Sequence, residues 1–298
     1  MKVVDLVGNT PLVFLGEILG NQVYTKLEYY NPTGSIKDRA ALNIVKSAIE
    51  RNEIGAGATI VEATSGNTGI GLSFIASQYG YKAVIFMPEN MSKERQDLIK
   101  SYGAEVVLTP ASEGMNGAVL AMREYIKGKN NVLVADQFNN KDNWMAHYKY
   151  TAKEIFSQEP QIQHIVSAIG SGGTIVGIKK YILENNLDCK VIGVEPEESQ
   201  LITKGKVGKH GIQGIGANFI PSIFDVSLVD CMLTSSTEEA YNGARELVAK
   251  YGITAGISSG AAFVAVKKYI QQNKLKNQKI LFIVPDNGMR YLSLNIYG

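Results

Sequence analysis

Short, uninterrupted apolar runs alternate with longer amphipathic segments along most of this 298-residue chain, and no other feature constrains the fold as strongly. Residues 59–63, 82–87, 105–108, 132–135, 164–169, 190–194 and 279–284 read as strands. They are apolar throughout rather than at every second position, so both faces of each sheet must be covered by helices. Helices are expected over 38–50, 69–79 (stopped by Gly80), 93–102 (capped by Ser92, stopped by Gly103), 115–126, 144–156, 175–184 and 261–272. Ser236 with Glu239 three residues on is a capping box for a further helix ending near Tyr251-Gly252. The fold class is therefore α/β, with mostly parallel sheets flanked by helices. Two blocks, about 40–140 and 145–298, suggest two domains with a cleft between them.

Composition narrows the function. Thirty basic and 28 acidic residues are interleaved, for a net charge of +2, which argues against a nucleic-acid partner. No apolar stretch is long enough for a bilayer-spanning helix, and the first residues lack a signal-peptide pattern, so a cytoplasmic location is expected. Cys189 and Cys231 have no metal or redox spacing and read as reduced core residues. His147, His164 and His210 are scattered, which argues against a metal site.

Glycine-rich loops interrupt the pattern where strands lead into helices. Thr64-Ser65-Gly66-Asn67-Thr68-Gly69 and Gly170-Ser171-Gly172-Gly173-Thr174 each place backbone N–H groups and hydroxyls at a helix N-terminus, where an anion is favoured. The second suits a phosphate and the first a carboxylate. Two more loops, Gly214-Ile215-Gly216-Ala217-Asn218 and Gly256-Ile257-Ser258-Ser259-Gly260, add backbone and polar groups. Such loops can also be purely structural, since tight turns need glycine. None is a full dinucleotide or nucleotide P-loop signature.

A sharper element is Asn31-Pro32-Thr33-Gly34-Ser35-Ile36-Lys37-Asp38-Arg39. Pro32 and Gly34 set a turn, so Lys37 falls at a helix start. There the helix dipole disfavours an ammonium ion and lowers the lysine pKa, as a Schiff-base lysine requires. The plainer reading is a solvated surface lysine.

These motifs, in this order and spacing, resemble the cysteine synthases (O-acetylserine sulfhydrylases) and the related cystathionine β-synthases. Those belong to the tryptophan-synthase-β-like class of pyridoxal phosphate (PLP) enzymes, known as fold type II. The likeness runs from Gly8-Asn9-Thr10-Pro11-Leu12 through the loops above, Met87-Pro88-Glu89 and Val194-Glu195-Pro196, to Val284-Pro285-Asp286. It implies a smaller mobile domain over 39–141, and a larger phosphate-binding domain from 1–38 plus 142–298. It implies that Lys37 carries PLP, Asn67 bonds the ring 3′-oxygen, Gly170, Ser171, Gly172, Gly173 and Thr174 cradle the phosphate, and Ser258 meets the pyridine nitrogen. Thr64, Ser65, Thr68 and Gln137 would bind the substrate carboxylate. The implied partners are a small amino acid and a sulfide, thiol or water nucleophile, in a homodimer.

The chain departs from that pattern at Asn218, where sulfhydrylases resemble Gly-Ile-Gly-Ala-Gly-Phe and cystathionine β-synthases carry an aspartate. A polar group there suits a second amino acid or a water, with cysteine as donor and hydrogen sulfide released; lanthionine, cystathionine or serine would be the product. Equally, Asn218 can be a local hydrogen-bonding substitution. Asn139-Asn140-Lys141-Asp142 also differs from the family's usual run and bears on local loop shape. The chain closes soon after its last strand, so neither a C-terminal regulatory domain nor an N-terminal haem segment is expected. The competing readings are serine or threonine deamination on the same fold, and a nucleotide-binding or carrier protein that uses the glycine loops for phosphate.

Overall fold

The computed structural model describes residues 1–297. The chain forms β1 (Leu12–Ile18), β2 (Asn21–Leu27), α1 (Lys37–Glu50), β3 (Thr59–Ala63), α2 (Asn67–Tyr79), β4 (Lys82–Pro88), α3 (Lys93–Ser101), β5 (Glu105–Thr109), α4 (Gly114–Ile126) and β6 (Val132–Val134). It continues with α5 (Lys141–Ala146), α6 (Lys153–Gln158), β7 (His164–Ala168), α7 (Gly173–Glu184), β8 (Lys190–Pro196), α8 (Leu201–Lys204), β9 (Cys231–Ser235), α9 (Thr237–Tyr251), α10 (Ile257–Asn273) and β10 (Lys279–Val284). Two compact units result: Met1–Val7 with Lys37–Asn143, and Gly8–Ile36 with the chain from Trp144 onward.

The smaller unit is built on a parallel sheet of order β5-β4-β3-β6. Successive side chains of a strand point to opposite faces. Ile60, Ile85 and Met87 therefore pack with Ile44, Leu72 and Ile75 on one side, while Val61, Val84 and Phe86 pack with Ala118 and Met122 on the other. This two-sided burial is why the inner strand sequences are mostly apolar rather than alternating. Val4 joins the first of these clusters, so Met1–Val7 groups with this unit and not with the larger one, and Lys37 begins this unit's first helix.

The larger unit holds a six-stranded sheet of order β1-β2-β10-β7-β8-β9. Strands β2 to β9 are parallel, but β1 pairs antiparallel with β2. This hairpin was not anticipated from the apolar runs. Its two-residue turn, Leu19-Gly20, has positive φ at both positions (51° and 75°), the geometry that matches strand twist. Strand β1 is half-exposed along its length, so it lacks the continuous apolar signal of the inner strands. The expected helix over 144–156 is interrupted: a π-helical stretch, His147–Ala152, separates α5 from α6. It lies where α7 comes very close, since a Cβ on Gly177 would stand 2.3 Å from the Trp144 carbonyl oxygen. Ser236 and Glu239 form both hydrogen bonds of the expected capping box. Ser92 precedes α3 but its side chain makes no capping bond. Both cysteines are unpaired, and burial pushes the Cys189 thiol up to about 12. Among the described residues no helix is long and apolar enough to cross a membrane.

Helices α9 and α10 approach so closely that glycines are required at the crossing. A Cβ on Gly243 would lie 2.4 Å from the Gly260 carbonyl oxygen, and one on Gly260 would lie 2.0 Å from that of Ala240. The obstacle is backbone, which cannot rotate away. Gly260→Ala is expected to cost the upper part of the ~1–3 kcal/mol typical of overpacking, or more. Denaturant unfolding monitored by circular dichroism checks this through a lowered midpoint.

Candidate active site

In the smaller unit, β3 leads into the loop before α2. The Thr64 hydroxyl accepts the Gly66 N–H at 3.3 Å, and Arg95 Nη1 donates to the Ser65 carbonyl at 3.1 Å. Asn67 opens α2, and no side chain caps that helix at Gly66. The Thr68 hydroxyl donates to Gln137 Oε1 at 2.6 Å, which makes Nε2 the end of Gln137 that presents donors. Thr68 and Gln137, 69 residues apart, are thus brought together, and both are buried. The altered run at 139–142 leaves this intact: Asn139 and Asn140 turn back onto the Asp136 carbonyl, and Asn143 Nδ2 donates to the Gln137 carbonyl at 2.7 Å.

Lys37 is the first residue of α1 and is half-buried, so it is not a fully solvated surface lysine. Gly71 sits one turn beyond Asn67 on the same face of α2. A Cβ there would stand 3.3 Å from the Lys37 carbonyl. The starts of α1 and α2 are thereby close, and Lys37 and Asn67 share one neighbourhood.

In the larger unit, the phosphate candidate loop follows β7 and opens α7. Gly172, at the N-cap, has φ +81° and no side chain caps the helix. Neither glycine position nearby tolerates a side chain: a Cβ on Gly170 would meet the Gly214 carbonyl oxygen at 2.5 Å, and one on Gly172 would meet Phe224 at 2.7 Å. The Gly216 N–H donates to the Ile169 carbonyl at 3.2 Å, which ties the loop bearing Asn218 to the base of the phosphate loop. Asn218 itself is exposed. Ser258 lies in the first turn of α10, is 4% exposed, and follows an N-cap, Gly256, that again lacks a side-chain cap. Beside it, the buried Ser259 Oγ has no hydrogen-bond partner.

The end of β10 organises this unit's polar loops. Pro285 accepts the Ile36 N–H at 2.8 Å and Asp286 accepts the Gly256 N–H at 3.0 Å, both through backbone carbonyls. The chain segment that delivers Lys37 and the start of α10 are therefore held by consecutive residues. Three groups were missed in the sequence. Arg95 braces Ser65, and His147 Nε2 lies 3.3 Å from the Thr174 hydroxyl. Glu62, 4% exposed, accepts N–H bonds from Ala63 at 3.0 Å and from Gln137 at 3.2 Å. Glu62 alone had a legible signal, an acid inside an apolar strand next to the loop.

Helix N-termini without side-chain caps and glycines with no space for Cβ are features of proteins that hold a small anionic ligand. The chain belongs to the pyridoxal-phosphate dependent enzyme family, whose sequence model matches residues 3–286. It is 43% identical to cysteine synthase B of Campylobacter jejuni over 298 residues, covering 100% of this chain and 98% of the relative. It superposes on a cysteine synthase from Entamoeba histolytica with a TM-score of 0.96 at 41% identity, covering 99% of this chain and 90% of that one. A hydrogen sulfide-producing enzyme from Fusobacterium nucleatum gives a TM-score of 0.92 at 41% identity, covering 97% and 99%. The cofactor is PLP, and the residues present fit it. The α7 N-terminus has no side-chain cap at Gly172 and only a long bond, 3.4 Å, from the Gly173 N–H to the Ser171 hydroxyl, and the start of α10 holds an unpartnered buried hydroxyl on Ser259.

Burial pushes the Glu62 carboxyl up to about 8, against the opposing pull of N–H groups from Gln137, Ala63 and Asp136; the Asp136 charge adds to the rise. A carboxyl whose folded value lies above its unfolded value near 4.5 binds a proton that the unfolded chain has released. Its stabilising contribution is complete below about 4.5 and is lost as pH climbs to about 8. The melting temperature of Glu62→Gln minus that of wild type is therefore expected to increase from pH 5 to pH 9. A difference that stays constant in differential scanning calorimetry would contradict this.

Proposed function

We propose that this enzyme performs β-replacement on a β-substituted L-alanine, with O-acetyl-L-serine and sulfide giving L-cysteine and acetate. The observation that carries this reading is the 43% identity to a cysteine synthase along the whole chain, which includes every loop described above. Lys37 carries the cofactor through Nζ. The 170–174 loop binds its phosphate with the α7 N-terminus, Asn67 bonds the ring 3′-oxygen, and Ser258 meets the ring nitrogen. When bound, PLP supplies an electron sink for the charge left at the substrate Cα. The Ser258 hydroxyl would not enforce protonation of the ring nitrogen as an aspartate would, which would suit loss of a β-leaving group over a long-lived carbanion. Thr64, Ser65, Thr68 and Gln137 hold the substrate carboxylate and fix the Cα proton toward Lys37. The Lys37 amine would take the Cα proton and return it to Cα after acetate has left and sulfide has added at Cβ.

A second reading has two observations in its favour. Asn218, in a loop tied to the phosphate loop, replaces a small residue, and a hydrogen sulfide-producing enzyme matches this chain at 41% identity. In that reading cysteine is the donor, sulfide leaves, and a second thiol or water adds to give lanthionine, cystathionine or serine. Elimination without replacement, as in serine or threonine deaminases, accompanies either reaction as a side path. The balanced charge and unpaired cysteines support a cytoplasmic enzyme, and the family likeness supports a homodimer.

Purified protein supplied with PLP is expected to show a visible absorption band that is lost in Lys37→Ala, with turnover falling by at least about 10³-fold, the scale of losing a nucleophile and base together. Product analysis with O-acetylserine and sulfide, against cysteine alone and cysteine with homocysteine, separates the two readings. Asn218→Gly is expected to shift the ratio of kcat/KM for O-acetylserine over cysteine about tenfold, or ~1.4 kcal/mol. An unchanged ratio would remove Asn218 from substrate choice.

A further inference from the structure

Glu62 is the one acid on the central strands of the smaller sheet, and it lies two residues before Thr64. A carboxyl in such a place costs stability unless it is hydrogen-bonded and, if charged, paired. Its two oxygens divide their work. Oε1 accepts the Ala63 N–H at the exit of β3, and Oε2 accepts the Gln137 N–H in the loop beyond β6. These are the two segments that carry the candidate carboxylate-binding groups. The same Gln137 receives the Thr68 hydroxyl on Oε1, and this sets its donor end toward an anion. The charged group facing Glu62 is Asp136, from the loop after β6, while β4 opposes it with Ile85. Asp136 repels negative charge on Glu62 and its own carboxylate is held by Asn139 Nδ2 at 2.7 Å.

We propose that Glu62 is the positioning residue of the amino-acid site: it fixes the Thr64–Thr68 turn against Gln137, and a negative charge on it lowers affinity for the substrate carboxylate. The inference rests on the reading that Thr68 and Gln137 bind that carboxylate. Uncharged, Glu62 still accepts N–H bonds and places no second anion behind the site. Ionised, it adds an anion in a region of low dielectric, where repulsion is poorly screened. The burial that raises its titration toward pH 8 keeps it in the first condition near neutrality.

The test is titration of the PLP-loaded enzyme with L-alanine, which has no β-leaving group, by calorimetry from pH 6.5 to 9.5. Wild type, Glu62→Gln, Glu62→Ala and Gln137→Ala are compared. Wild-type affinity is expected to fall about tenfold more across this range than that of Glu62→Gln. The titration of the ligand amine is common to both and cancels in the ratio. Glu62→Ala is expected to bind more than tenfold more weakly at pH 6.5, with Glu62→Gln restoring most of the loss. Parallel pH curves for wild type and Glu62→Gln would overturn the proposal even if Glu62→Ala fails to fold. If those curves run parallel while Gln137→Ala binds weakly, the carboxylate assignment stands and Glu62 alone is excluded. If Gln137→Ala binds as tightly as wild type, the carboxylate assignment fails and the proposal fails with it.

Discussion

Two backbone carbonyls at the end of β10 hold the chemistry of the larger unit in place. Pro285 secures Ile36, the residue before Lys37, and Asp286 secures Gly256, the N-cap of the helix that bears Ser258. Both carbonyls belong to a segment that emerges from a strand buried at every position but its first. That strand is packed on both faces, and its end holds the N-cap of the helix bearing Ser258, the residue proposed to meet the ring nitrogen. A backbone anchor suits this task because it does not depend on side-chain rotamers or on ionisation. Asp286 adds a third restraint, since its carboxylate accepts the Tyr291 hydroxyl at 2.5 Å.

The helix starts divide by how their N–H groups are satisfied. Helix α9 begins with a complete capping box from Ser236 and Glu239, and it lies at no proposed site. Helices α2, α7 and α10 begin at Gly66, Gly172 and Gly256 with no side-chain cap. A free helix N-terminus is a standing electrostatic liability in an unliganded protein and an asset when an anion arrives. Lack of a side-chain cap is shared by α3 and α4, which lie at no proposed site; what sets α2, α7 and α10 apart is that their uncapped ends fall on the loops proposed to meet carboxylate, phosphate and ring.

Most inner strands were readable because burial on both faces leaves a run with no polar positions, as in residues 83–87 and 280–284. Burial on one face or at an edge erases that signal, which is why β1 and its hairpin escaped notice. The π-helical stretch at His147 could not be read either, since it lies where Gly177 brings α7 against Trp144, a contact between residues 33 apart. For the site, glycine loops and the lysine turn were visible as local motifs. The pairing of Thr68 with Gln137 was not, because β6 must first be laid beside β3. His147 and Arg95 act through such contacts and carry no local mark. Glu62 did break an apolar run, and its significance appears only when its second oxygen is seen to reach Gln137.

The crossing of α9 and α10 has a bearing on how this chain can change. Gly243 faces the Gly260 carbonyl, and Gly260 faces that of Ala240, so each position forbids a side chain while the other stays as it is. A single substitution meets backbone, and a viable path requires the helices to separate first. Because α10 starts at the turn that carries Ser258, any such separation moves the proposed cofactor-binding end as well. Sequence drift on this helix pair is therefore restrained by the proposed chemistry itself, and attempts to redesign the pair will meet that site before they meet the limits of the core.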